Sequence, residues 1–203
     1  MADGNLVHVI DDDDAVRSSL EFLLRTANID VRTYDSATAF LRNLKAGERG
    51  CIVTDVRMPE MSGIELLRRL NDMSIDMPVI VITGHGDVSL AVEAMKAGAV
   101  DFLEKPFEDD RVLAAIGSAL ERNREEGARA VERARIREKM AQLSQREREV
   151  LEGLVAGAPN KMIAFDLGIS ARTVEVYRAN VMTKMEAKSL SELVRMAIIA
   201  SGT

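Results

Sequence analysis

Cysteine and histidine are scarce in this chain, and their scarcity removes several chemistries. One cysteine and two histidines in 203 residues exclude an intrachain disulfide and leave no Cys/His set for zinc. Cys51, inside CIVTD, reads as a small core hydrophobe. No apolar run is long enough to cross a bilayer, and the start MADGNLVHVIDDDD lacks the basic opening of a secretion signal, so a cytoplasmic, non-membrane protein is expected. No internal repeat is apparent. Positive charge is also in deficit overall, at net −6, but unevenly. Residues 1–120 hold 12 Lys+Arg against 21 Asp+Glu, residues 121–142 hold 7 against 5, and residues 143–203 hold 8 against 7. A first part this acidic repels nucleic acid, so any such contact must come from the C-terminal part.

What the chain does have is alternation. Short runs rich in branched apolar residues recur at 6–10, 30–34, 51–56, 79–83 and 100–103, and segments with helical spacing lie between them. That pattern predicts parallel βαβ units in a five-stranded, doubly wound α/β sheet of flavodoxin-like order. IVTDV and VIVIT are apolar on both faces, as central strands are, whereas DVRTY alternates like an edge. Residues 1–120 form this first domain. Residues 121–142, ERNREEGARAVERARIREKMAQ, are charged, rich in Arg, Glu and Ala and free of proline, which predicts a helical linker that could flex at Gly127. Residues 143–203 predict a second, all-α domain of four helices. Ser144 and Glu147 form a capping box, Gly157-Ala158-Pro159 ends the first helix, and Gly168-Ile169-Ser170 makes a tight turn between the second and third.

Loops at the carboxyl ends of the strands converge on one crevice in such a sheet. There the sequence puts Asp11 and Asp12, Asp55, Thr83 and Lys105. Clustered carboxylates need a cation, and an all-oxygen site suits Mg²⁺. A carboxylate held there can attack phosphorus, with Lys105 and Thr83 as donors to the phosphoryl oxygens. Asp13 and Asp14 are expected instead as the cap and first turn of a helix. His85 is set aside as a general base, because a carboxylate nucleophile is already ionised and phosphoryl transfer depends on positioning and charge.

The set Asp11-Asp12, TDVRMPEMSG at 54–63, VIVITGHGD at 79–87 and EKPF at 104–107 resembles the receiver domain of two-component response regulators. The resemblance implies that Asp55 is the phospho-acceptor. It implies that Asp12, Asp55 and the backbone carbonyl of Arg57 hold Mg²⁺, with Asp11 acting through water. Thr83 and Lys105 would bind the phosphoryl group, next to a cis Lys105-Pro106 bond, and Phe102 would be a switch aromatic paired with Thr83.

In the C-terminal part, two helices around Gly168-Ile169-Ser170 have the turn of a helix-turn-helix. Val174, Tyr177, Val181 and Met185 fall on a core face of the second, leaving Thr173, Glu175, Val176, Arg178, Ala179 and Asn180 outward. Composition does not separate DNA binding from a helical bundle for protein contact. The run from Leu143 to Met185 resembles the LuxR-type helix-turn-helix, which puts Glu175, Val176 and Ala179 at base-facing positions and makes Asn160, Lys161, Thr173, Arg178 and Lys184 candidate phosphate contacts.

Together the two parts resemble the FixJ-type regulators. The implied function is a phosphorylation-activated transcriptional regulator, not an enzyme beyond self-phosphorylation and slow autodephosphorylation. Its implied partners are a sensor histidine kinase, double-stranded promoter DNA and RNA polymerase. It would form a homodimer through residues 87–103 when phosphorylated, and its targets would be nitrogen-fixation or oxygen-responsive genes. Two rivals are a phosphatase or phosphotransferase acting on small molecules, which would turn over a free phosphate ester, and a constitutive DNA-binding protein whose receiver only dimerises, for which Asp55→Asn would be silent.

Overall fold

The computed structural model describes residues 5–84 and 88–201. His85 lies outside the described residues. Five parallel strands, β1 (Leu6–Ile10), β2 (Asp30–Tyr34), β3 (Cys51–Asp55), β4 (Val79–Thr83) and β5 (Asp101–Glu104), form one sheet in the order β2-β1-β3-β4-β5. The doubly wound order expected from the alternation is therefore observed. β3 and β4 are buried at every position, while β2 is an edge with exposed and half-buried residues.

Helices α1 (Asp14–Thr26), α2 (Ala37–Asn43), α3 (Gly63–Asp72) and α4 (Val88–Ala97) connect the strands, and α5 (Asp109–Ala141) follows β5. Alternate strand residues feed two cores. Ile10, Ile52, Val79 and Val81 pack with Phe40, Ile64, Leu66 and Leu70 on one face of the sheet. Val7, Val9, Val53, Ile80 and Ile82 pack with Leu20, Leu24, Val112 and Ile116 on the other. Local signals set the helix starts: the Asp13 carboxylate accepts from the Ala15 and Val16 amides, and Ser62 and Glu65 form a reciprocal capping box. Each such cap stabilises its helix by about 1 kcal/mol.

The chain divides into two compact units, residues 1–126 and 127–203. The boundary lies inside α5, which is one uninterrupted helix of 33 residues. Most of the segment expected as a helical linker lies in α5, continuous with the helix before it, and Gly127 does not interrupt it. Its charged, alanine-rich composition favours helix and no proline intervenes, so the helix runs on through Gly127.

The second unit adds α6 (Gln145–Val155), α7 (Asn160–Leu167), α8 (Ala171–Met185) and α9 (Leu190–Ser201). Ile136, Leu143, Val150, Leu154, Ile163, Val174, Val181, Met185 and Leu193 make its core. Gly168 ends α7 at φ 66°, a left-handed conformation that glycine adopts without steric cost.

Candidate functional site

At the carboxyl edge of the sheet, the residue after β1 supplies Asp11, the end of β3 supplies Asp55 and the residue after β5 supplies Lys105. The Lys105 ammonium donates to Asp55 Oδ1 at 2.6 Å and to Asp11 Oδ2 at 2.9 Å. The other Asp55 oxygen accepts from the Arg57 amide at 2.5 Å, and the other Asp11 oxygen from the Asp13 amide at 2.9 Å. Asp11 and Asp55 are both buried. Burial pushes the Asp55 carboxyl above its usual range, against the opposing hydrogen bond and charge of Lys105. Burial alone would lower the Lys105 pKa, but its hydrogen bonds to Asp55 and Asp11 reverse this and raise it, so the ammonium is firmly retained.

The backbone around these groups is closely fitted. Lys105 N–H donates to the Thr83 carbonyl at 2.8 Å, and the Lys105-Pro106 peptide bond is cis. Arg17, on α1, donates to the Asp11 carbonyl at 2.6 Å, and the Asp11 amide donates to the Tyr34 carbonyl at 3.2 Å. A Cβ added at Gly63 would stand 2.2 Å from the Asp55 carbonyl oxygen, so only glycine lets α3 start this close to β3.

The donors suit a hard cation only in part as they stand. Among the described residues, no three Asp, Glu, His or Cys side chains gather into a group that would hold a metal ion by themselves. Asp12 is exposed, and with Val56, Arg57 and Met58 it lines a crevice of about 750 Å³. The chemistry is nonetheless all oxygen: carboxylates of Asp12 and Asp55 and the carbonyl of Arg57. Mg²⁺ needs few protein ligands, since it keeps several waters.

In the second unit, Ser170 caps α8 by accepting from the Thr173 amide at 3.0 Å. Val174, Val181 and Met185 are buried and Tyr177 packs against them, as the spacing predicts. Lys161, Glu175, Val176 and Ala179 are exposed, while Asn160, Thr173 and Arg178 are half-buried. Lys184 differs from the other candidate phosphate contacts. Its ammonium donates to the buried Glu147 carboxylate at 2.7 Å and to the Gln142 carbonyl at 3.3 Å.

The response regulator receiver domain family matches residues 7–117. The chain belongs to the response regulators. Its C-terminal part, residues 141–197, matches the bacterial regulatory proteins of the luxR family. Over 194 residues it is 62% identical to the transcriptional regulatory protein FixJ of Azorhizobium caulinodans, covering 96% of this chain and 92% of that one. It is 57% identical to FixJ of Bradyrhizobium diazoefficiens, covering 96% and 95%. The solved response regulator StyR superposes with a TM-score of 0.82 at 43% identity, covering 95% and 97%. Full-length FixJ from B. japonicum superposes with a TM-score of 0.61 at 54% identity, covering 98% of each chain.

Within this receiver, Asp11, Asp55 and Lys105 are in direct contact, whereas Thr83 meets Lys105 through its backbone. Thr83 is 2% exposed at the end of β4, and Phe102 on β5 is 41% exposed, so its ring stands outward. Sequence reasoning did not reach Arg17, the close approach at Gly63, or the Lys184–Glu147 pair. Gly63 was visible inside TDVRMPEMSG but without its reason; the others join segments that no local pattern connects.

Proposed function

We propose that this response regulator takes a phosphoryl group from a sensor histidine kinase onto Asp55 and answers by pairing its receivers so that two readers bind promoter DNA. The observation that carries this reading is Lys105 hydrogen-bonded at once to Asp55 and Asp11. An Asp55 oxygen attacks phosphorus in line, the bond from phosphorus to the kinase histidine nitrogen breaks, and that nitrogen leaves with the electron pair. Lys105 moves one of its hydrogen bonds to a phosphoryl oxygen, and the Thr83 hydroxyl donates to another. Asp12, Asp55 and the Arg57 carbonyl would hold Mg²⁺, with Asp11 reaching it through water; the ion would screen the negative charge of the incoming group.

Once Thr83 is engaged, Phe102 turns inward and the α4–β5 face becomes a symmetric dimer surface. The exposed Val92, Met95 and Phe102 on that face support this step. A two-fold dimer aligns two α8 helices on an inverted repeat, with Glu175, Val176 and Ala179 facing bases and Asn160, Lys161, Thr173 and Arg178 at phosphates. Residues 121–142 join the two parts as helix. The likeness to proteins named FixJ supports nitrogen-fixation or oxygen-responsive promoters as targets, read together with RNA polymerase in the cytoplasm.

Sedimentation of wild type and Asp55→Asn, each with Mg²⁺ and acetyl phosphate, tests the reading. Wild type is expected to shift from monomer to dimer while Asp55→Asn stays monomeric. Identical behaviour of the two, with mass spectrometry confirming that wild type carries phosphate, would remove the dimerisation step.

A further inference from the structure

Apart from the crevice at Asp12 lies a separate cavity of about 390 Å³, lined by Thr83, Ala91, Val92, Met95, Lys96, Phe102 and Glu104. The wall is built by three elements: the end of β4, one face of α4, and β5. Its apolar members are large and partly exposed at Val92 (48%), Met95 (44%) and Phe102 (41%), while Ala91 behind them is 5% exposed. Ala91 presents only a methyl group to this volume. Lys96 and Glu104 are the charged members of the lining, and Thr83 adds a hydroxyl-bearing side chain.

A space of this size sits at the lower end of ligand pockets, about 300–1,000 Å³. Its walls favour a flat ring over a chain: Phe102 offers a stacking or edge contact, and a methionine sulfur packs well against an aromatic edge. Among the polar lining residues, the Thr83 hydroxyl and the Glu104 carboxylate are the groups that can accept from a donor on such a ring. We infer that this cavity is a binding site for a small aromatic molecule carrying a single N–H or O–H donor, and that its occupant opposes activation. The antagonism rests on the switch reading above. A ring held among Ala91, Met95 and Phe102 fills the volume that Phe102 needs when it turns inward, and it stands on the α4–β5 face that the dimer uses. Such a ligand binds the outward state alone, so it moves the equilibrium by its differential affinity.

Indole is the probe. Titrated into the unphosphorylated full chain, it is expected to shift the Met95 methyl resonance saturably, with one site and a dissociation constant between about 0.1 and 1 mM, in line with the ligand efficiency of so small a molecule. Ala91→Phe fills the cavity and should abolish the shift. Ala91→Leu is the milder variant, expected to weaken binding at least fivefold; both are checked for native circular dichroism and cooperative unfolding. Absence of saturable binding to wild type, or equal binding by a folded Ala91→Leu, overturns the site. In the second arm, acetyl phosphate and Mg²⁺ are added and the dimer is measured by sedimentation. Saturating indole should raise the wild-type dimer dissociation constant at least fivefold. If wild type binds indole and dimerises equally well with it, the antagonism is overturned. If wild type binds indole but never dimerises with the donor, the failure belongs to the dimerisation reading and the binding site stands.

Discussion

Lys184 is the sharpest point at which geometry divides two roles. As a DNA phosphate contact it would spend its charge on the duplex; in the structure that charge is already directed at Glu147, whose side chain is 5% exposed. Replacing Lys184 with Met keeps most of the aliphatic stem and removes the ammonium. The Glu147 carboxylate then retains the Ser144 amide at 2.7 Å as its hydrogen-bonded partner and loses the charged one. A hydrogen bond between charged groups contributes about 1.5–3 kcal/mol. Because the Lys184 side chain is 39% exposed, solvent screening reduces this to about 1 kcal/mol. Glu147→Gln keeps the capping geometry, since glutamine also serves in a capping box. The cycle of Lys184→Met, Glu147→Gln and the double variant should therefore give a coupling of about 1 kcal/mol. Native-state hydrogen exchange of α6 and α8 amides in the full chain measures it locally.

The DNA readout separates the two roles. Titrating a duplex between about 50 and 200 mM salt, each phosphate contact contributes about 0.9 to the slope of log K against log salt. Lys161→Ala is expected to lower the slope by about that amount, while Lys184→Met weakens binding and leaves the slope unchanged. A slope reduced by about 0.9 in Lys184→Met, with coupling below about 0.3 kcal/mol, would refute the internal pairing.

Gly63→Ala forces a Cβ to within 2.2 Å of the Asp55 carbonyl, so backbone must yield; a loss of about 1–3 kcal/mol in chemical denaturation and slower phosphoryl uptake by mass spectrometry are expected. An unchanged uptake rate would mean that the β3–α3 junction does not set the position of Asp55. His8 is buried, and burial lowers its pKa from 6.5 to about 4, with Glu48 opposing and Arg32 reinforcing the shift. The unfolded chain therefore binds a proton first as pH falls. Stability from this group is full above about pH 6.5 and declines by about 3 kcal/mol by pH 4. Urea midpoints measured across that range should fall less steeply for His8→Phe than for wild type, and parallel curves would contradict the argument. Glu147 runs at lower pH: Lys184 holds its carboxyl below the ordinary 4.5, so its contribution is present above that pH and is lost on further acidification. Glu147→Gln should flatten the acid limb of α6 exchange, and an unaltered limb would mean that the pair does not form in solution.

The elements visible in the sequence were those with local causes. β3 and β4 announced themselves as short runs apolar on both faces because helices cover both of their faces, and Asp13 and Ser144 marked helix starts because capping is a contact within four residues. The convergence of Asp11, Asp55 and Lys105 was readable because parallel topology sends every strand's carboxyl end to one edge. The length of α5 was not, since a change of composition near residue 120 looks like a boundary although both sides favour helix. The pairing of Lys184 was hidden for a related reason: its partner Glu147 lies 37 positions earlier on another helix, beyond the reach of any local pattern.

The ammonium of Lys105 has a further consequence. With Asp11 and Asp55 both hydrogen-bonded to it, the resting receiver already contains an occupied anion site, and the occupants are its own carboxylates. On the function proposed above, an arriving phosphoryl group would enter by exchange, displacing one ligand of Lys105 by another of the same sign. What separates the silent and signalling forms is then a difference between two satisfied arrangements and not the full strength of either. Such a balance is reversible by construction, and a change as small as the length or charge of one carboxylate at position 11 would reset its midpoint.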